Sequence, residues 1–434
     1  MNTNRYNTNI YDNNSNQFSY KLIKTDILLI LFFISLYVSP YFKVQFSMPS
    51  WLMIREILFA VLALKLLFCR KNLNLPRWML LYIYVLVISF AMSDNYSVAF
   101  TTLRTLLQFV AVYIFSRVFI TDKQSIIFYC KLFYIFGMSG VVLIIFQLIY
   151  GPVPVLNMYA SLDEASMRYG YVRLSTIYGN TITSAMLIII FCSQVYYLNK
   201  RLTKIILLCC AVLSIIASFS KAPSIVLFLL MIYFYYESYF KNRPKNNKIS
   251  PAVIILSFIL LLALFYVGVY FLPQLNNQNF VQDVSINEQL SSDTSVRFVD
   301  KPKVALDKML DIGPYTLLIG AGFDAAGQAA AELANGIKPH NALVEIFITM
   351  GVLGILVYGN MFALLVKLVA GIKTKNDLDL HVKSLAVGVI AALLSALVVD
   401  PHVTHVLMVP AFFLLGISDS YKNLLYNETN DESF

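Results

Sequence analysis

Runs of about 17 to 25 predominantly apolar residues, the length a helix needs to cross the hydrocarbon of a bilayer, recur along this sequence from end to end. They lie at roughly 26–42, 51–69, 78–93, 98–117, 124–150, 180–198, 202–220, 221–240, 251–272, 341–366, 383–399 and 403–418. Composition agrees: 59% of residues are hydrophobic, 13% are charged and the mean hydropathy is +0.70, too apolar for a soluble domain. The fold class expected is therefore an all-α integral membrane protein, with about twelve transmembrane helices and a large extracytoplasmic loop before the tenth. Its divisions are a disordered tail over 1–25, helices one to nine within 26–272, the loop over 273–340, helices ten to twelve within 341–418 and a second tail over 419–434.

The first tail is polar and rich in asparagine, unlike a cleavable signal. Cys69, Cys130, Cys192, Cys209 and Cys210 all fall in or beside apolar runs, so no disulfide framework is implied. Orientation follows the distribution of cations. Arg70, Lys71 and Arg77, Lys200, Arg201 and Lys204, Lys241 to Lys248, and Lys367 to Lys375 all fall on one side, which places both termini in the cytoplasm. The net charge of +9 is explained by this bias and by contact with anionic membrane lipids; nothing in it asks for nucleic acid. Two outer connections are long, 151–179 and 273–340, and long loops are commonly functional. Within the second, residues 300–310 (DKPKVALDKML) have the amphipathic spacing of a short surface helix. Pro223 suits the first turn of the eighth helix, after a tight apex at Ser218.

The segment from Asp311 to Gly354 carries most of the chemistry. A glycine-bearing loop (Gly313, Gly320, Gly322, Gly327, Gly336) leads through Pro339-His340-Asn341 into an apolar helix, with Asn341 as expected N-cap. His340 thus sits at a helix mouth, where free N–H groups attract anions. Glu345 lies a turn further, able to support Asn341 and His340 or simply to stabilise the helix dipole. Gly351 and Gly354 suit close helix packing. Arg55 and Arg104 lie about one and two turns inside the outer ends of helices two and four, with Glu56 adjacent to the first and Gln108 one turn beyond the second. An arginine in hydrocarbon normally faces a cavity or a partner; snorkelling or internal pairing competes with a binding role. For Lys65 and Lys131, near inner ends, snorkelling is the better reading. Arg168, Arg173, Lys221 and Arg297 join Arg55 and Arg104 at the same outer level.

Three weaker patterns stand beside these. Asp400-Pro-His402-Val-Thr-His405 faces the same side and could line a cavity or a metal site, although two histidines three apart are weak evidence. Asp377-Leu-Asp379 with His381 has the look of an acidic pair for a divalent ion on the cytoplasmic side, but reads better as a solvated charge cluster. Tyr159, Tyr169, Tyr171 and Tyr178 suit an interfacial belt better than sugar-stacking platforms.

Taken together, Leu318-Ile319-Gly320-Ala321-Gly322, Arg297, His340-Asn341, Glu345, Gly351 and Gly354 resemble the O-antigen polymerase and O-antigen ligase family of bacterial envelope glycosyltransferases. Arg168 to Asn180 resembles that family's lead into the sixth helix, and Ser218-Phe-Ser-Lys221 its apex motif, with Lys221 where the family has arginine. Lysine keeps the charge and loses the bidentate fork. The resemblance covers about residues 165–360 and implies a GT-C-like enzyme of the bacterial inner membrane, with its active site facing the periplasm. It implies His340 as base, Arg173 and Arg297 on a polyprenyl diphosphate, Lys221, Arg168, Arg104 and Arg55 assisting, and no metal or cofactor. The expected substrate is a polyprenyl-diphosphate-linked oligosaccharide, and a chain-length regulator protein is the expected partner. Lys221 and the looser match of the amino-terminal half favour a polymerase. A ligase acting on lipid A-core and a lipid-linked oligosaccharide flippase are the alternatives.

Overall fold

The computed structural model describes residues 27–46, 54–69, 74–151, 153, 167–168, 171–172, 174–198, 201–218, 221–237, 301–325, 342–372, 376–395 and 405–431. These form thirteen helices and one short hairpin: α1 (Ile27–Phe46), α2 (Ile54–Phe68), α3 (Arg77–Ala91), α4 (Tyr96–Phe119), α5 (Lys123–Tyr150), β1 (Met167–Arg168), β2 (Tyr171–Val172), α6 (Thr181–Tyr196), α7 (Arg201–Ala217), α8 (Lys221–Tyr236), α9 (Lys301–Ile312), α10 (Thr316–Ile319), α11 (Ala342–Gly371), α12 (Asp377–Ser395) and α13 (His405–Asp431). Every expected span except 251–272, which lies outside the described residues, coincides with a helix. Four of them, α4, α5, α11 and α12, are long and apolar enough to cross a membrane. Ile54, Leu67, Phe68, Val87 and Ile149 stand exposed on the outside, the surface of a chain whose solvent is hydrocarbon. The chain is an all-α membrane protein.

Helix starts follow short polar side chains. Asn95 Oδ1 accepts from Val98 N, Asp122 Oδ1 from Ser125 N, Asn180 Oδ1 from Thr183 N and Asn376 Oδ1 from Asp379 N, at 2.8–3.2 Å. Each satisfies an amide that the helix leaves unbonded, a requirement sharpened where no water reaches. Pro223 falls in the first turn of α8 and α9 covers the expected amphipathic stretch. On α9 the buried apolar residue is Met309, packed with Ala321 and Ile348, while Leu306 and Leu310 are exposed.

The core is aromatic. Phe33 of α1 meets Phe133 of α5 and Phe413 of α13, and Tyr37 stacks on Phe136 at 4.3 Å. Glycines let the central helices close up: a Cβ on Gly416 of α13 would stand 2.6 Å from the Tyr113 carbonyl oxygen of α4, and one on Gly388 of α12 would stand 2.8 Å from Ile190 Cα of α6. Tyr178 is buried, packed against Tyr37 and Phe136, with its hydroxyl 2.6 Å from Ser139 Oγ. It belongs to the core and neither to a belt nor to a sugar platform.

α11 is broken at Gly351, where φ is 65° and ψ −161°. Gly354 lies 3.0 Å, at the position of a Cβ, from Ile346 Cγ2, whereas residues eight apart in a straight helix are separated by about 12 Å. The two arms therefore bend sharply toward each other, and Glu345 on the first comes within electrostatic reach of Tyr358 on the second. Gly351 is the point of the break, and it also admits the close approach its sequence context suggests, since an added Cβ would stand 2.4 Å from the Leu318 carbonyl of α10. The Leu318–Gly322 turn fills the bend, with Ala321 N donating to Ile348 O at 2.8 Å. It continues onto the α3–α4 turn, where Phe323 N donates to Ser93 Oγ (2.8 Å) and Asn95 N to Asp324 Oδ2 (2.7 Å). Asp324 is 5% exposed. Replacing it by alanine leaves the Asn95 amide without that acceptor and is expected to cost about 1–3 kcal/mol, with Asp324→Asn recovering most of it; denaturant unfolding in detergent measures both.

At the opposite end from this turn, α12 begins at Asp377, ahead of its expected start, and draws Lys383 inside. Lys383 Nζ pairs with Glu237, at the end of α8, and lies 5.7 Å from the Tyr197 ring centroid; the Tyr197 hydroxyl donates to Glu237 Oε2. Asp379 is likewise buried and accepts from Tyr421 Oη at 2.7 Å. The carboxylate of Asp379 is a contact between α12 and α13, not part of a solvated cluster. α13 continues through the expected carboxyl-terminal tail to Asp431.

Candidate anion-binding site

Three helices bring polar side chains together inside the bundle. Arg55 is the second residue of α2, Arg104 and Gln108 lie two to three turns along α4, and His405 is the first residue of α13. Their common centre is Glu56. Arg55 Nε donates to Glu56 Oε1 at 2.8 Å, Gln108 Nε2 approaches the same oxygen at 3.5 Å, and Arg104 Nε lies 3.9 Å from it. With its amide nitrogen toward the carboxylate, Gln108 turns its oxygen to His405, 3.1 Å from Nε2. The imidazole nitrogen facing Gln108 must then carry a proton, since an amide oxygen only accepts. The His405 ring also packs edge-on against Phe109, 5.3 Å between centroids.

The arrangement is not balanced. Among the described residues two guanidinium groups share one carboxylate, which leaves one positive charge over in a place where Arg55 is only 5% exposed. Arg104 Nε and Glu56 Oε2 are both buried and neither has a hydrogen-bond partner among the described residues. Buried charges are ordinarily paired and hydrogen-bonded, so an incomplete set of this kind is suited to receiving an anion.

Arg55 makes the internal pairing, with Glu56, that competes with a binding role, and the structure brings Arg104 to the same carboxylate. Of the other expected site residues, Arg168 stands in β1 opposite Tyr171 and Lys221 is the first residue of α8. Ser218, just before that helix, is buried and returns its hydroxyl to Ile215 O at 2.7 Å. Arg173, Arg297, His340 and Asn341 lie outside the described residues. Glu345 is in the first turn of α11, where its carbonyl accepts from Thr349 Oγ1 at 2.7 Å.

In the sequence Glu56 stands beside Arg55 and Gln108 one turn beyond Arg104, but nothing there joins the two pairs or adds His405, whose pattern suits a cavity or a metal site. In the fold His405 serves Gln108. The available signal was polar residues inside apolar runs on separate helices, which a bilayer forces to find one another. No family model matches the chain, and no curated protein matches it.

Proposed function

We propose that this chain is a glycosyltransferase of the bacterial cytoplasmic membrane, a surface-polysaccharide (O-antigen) polymerase. It joins polyprenyl-diphosphate-linked oligosaccharide repeat units at the outer face. The observation that supports the reading is the pair Arg55 and Arg104 on a single carboxylate, an excess of positive charge, among the described residues, inside an apolar helix bundle. When the anomeric C–O bond of the donor breaks, its electron pair passes to the diphosphate. Fixed guanidinium groups stabilise that charge where it develops, most effectively away from water. Arg173, Arg297, Arg168 and Lys221 supply further positive charge along the diphosphate. The acceptor hydroxyl attacks the opposite face of the anomeric carbon, with inversion, and its proton passes to His340, supported by Asn341 and Glu345.

Purified protein in vesicles, supplied with lipid-linked repeat units, tests this by the ladder of products. Chain growth is expected in the wild type, and His340→Ala is expected to slow it by about 10²- to 10⁴-fold, the usual contribution of a positioned base. Full activity of that variant removes His340 from the mechanism. Movement of the carrier between leaflets without any new glycosidic bond replaces the whole reading with a transporter, and transfer to lipid A-core in place of chain growth replaces the polymerase with a ligase.

A further inference from the structure

The two orphaned atoms at the centre of the cluster differ in kind. Arg104 Nε is a hydrogen-bond donor and Glu56 Oε2 an acceptor, and both are buried without partners among the described residues. A simple anion answers only the first. The two side chains are 21% exposed for Arg104 and 20% for Glu56, so they lie at the margin of the buried core. Both are completed by a partner that offers an acceptor and a donor a few ångströms apart, as one molecule bearing an anionic oxygen and a hydroxyl does.

We propose that Glu56 is a specificity-determining residue for a glycosyl phosphate: Arg104 takes an oxygen of the phosphate attached to the sugar, and Glu56 Oε2 accepts a hydrogen bond from a hydroxyl of that sugar. This rests on the reading of the chain as a transferase of lipid-linked sugars. Arg55 keeps Oε1 occupied at 2.8 Å, which leaves Oε2 as the oxygen available to the ligand. Gln108 holds the carboxylate from the α4 side and His405 holds Gln108, so the acceptor is aimed by a chain of three side chains from three helices. A carboxylate that must otherwise stay unpaired discriminates strongly, because a ligand lacking the hydroxyl leaves it so.

The test compares two probes on the full-length protein in nanodiscs, farnesyl diphosphate and the same molecule carrying one N-acetylglucosamine or glucose. The wild type is expected to bind a glycosylated probe about 10- to 100-fold more tightly than the bare diphosphate, the range for a hydrogen bond to a charged group. Glu56→Gln is expected to erase most of that preference while binding the bare diphosphate as well or better, since a negative charge has left the site. Glu56→Asp, which keeps the charge and shortens the reach, is expected to lose the preference too and guards against a folding defect in the first variant; unfolding midpoints accompany both. Arg104→Ala is expected to weaken both probes together.

An unchanged preference in the Glu56 variants, with tight binding of both probes retained, overturns the assignment and leaves the transferase reading intact. Equal loss of both probes in those variants reduces Glu56 to a structural role and also overturns it. If the wild type binds neither probe, and phosphatidylglycerol or phosphatidylethanolamine occupies the site with the same dependence on Arg104, the transferase reading falls with it.

Discussion

Replacing Glu237 by alanine is expected to destabilise the bundle by about 3–5 kcal/mol, the cost of stranding one member of a buried ion pair. Lys383 has 1% of its side chain exposed and Glu237 5%, so neither charge can turn to water. The Tyr197 hydroxyl occupies the second carboxylate oxygen and its ring faces the ammonium group. Removing the carboxylate therefore leaves a cation and a tyrosine hydroxyl without their acceptor at the junction of α8, α12 and the end of α6. The paired change Glu237→Leu with Lys383→Met is expected to recover most of the loss, because apolar side chains of similar volume often replace a buried ion pair at little or no cost. Denaturant unfolding in detergent measures both. Stability of the single variant equal to wild type means the pair opens to solvent.

Gly351→Ala is expected to cost about 3–5 kcal/mol, combining a backbone region essentially reserved for glycine with a steric conflict that has no flexible side chain to relieve it. At φ 65° and ψ −161° an added Cβ would stand 2.4 Å from the carbonyl of Leu318 and 2.6 Å from Gly320 N. The opposing surface is equally tight, since a Cβ on Gly320 would lie 2.3 Å from Thr349 O. Gly359 provides the contrast. It lies further along the same helix with nothing within 4 Å of its would-be Cβ, so Gly359→Ala is expected to be neutral or to stabilise by up to about 1 kcal/mol. If the two alanine variants unfold at the same denaturant concentration, the break at Gly351 is not a fixed feature of the fold.

The positions of the helices were legible because a bilayer demands long apolar runs and short polar caps, and both are local properties. Asn95, Asp122, Asn180 and Asn376 cap their helices in the fold, whereas the cap expected from the sequence, Asn341, lies outside the described residues. What could not be read are relationships across the chain. Glu56 and Gln108 are 52 residues apart, Gln108 and His405 297, Glu237 and Lys383 146. Each looks alone like a polar exception in an apolar run, and only packing decides which exceptions meet. Gly351 is half legible: a small residue signals the close approach it makes to Leu318, but a glycine that allows close approach and one that permits a left-handed backbone are the same letter, so the break in α11 is not. The expected span begins only at Lys383, whereas the helix begins at Asp377, because hydropathy counts the lysine's charge but not the glutamate that neutralises it.

The bend in α11 and the turn that fills it make one piece of two distant parts of the chain. Main-chain amides of Ala321, Phe323 and Asn95 stitch that piece to the Ile348 carbonyl, the Ser93 hydroxyl and the Asp324 carboxylate, so three separate acceptors hold its seams. Asn95 is also the cap of the helix that carries Arg104. The start of α4 and the first arm of α11 are therefore fastened to one and the same turn, so a displacement of either helix is shared by the other.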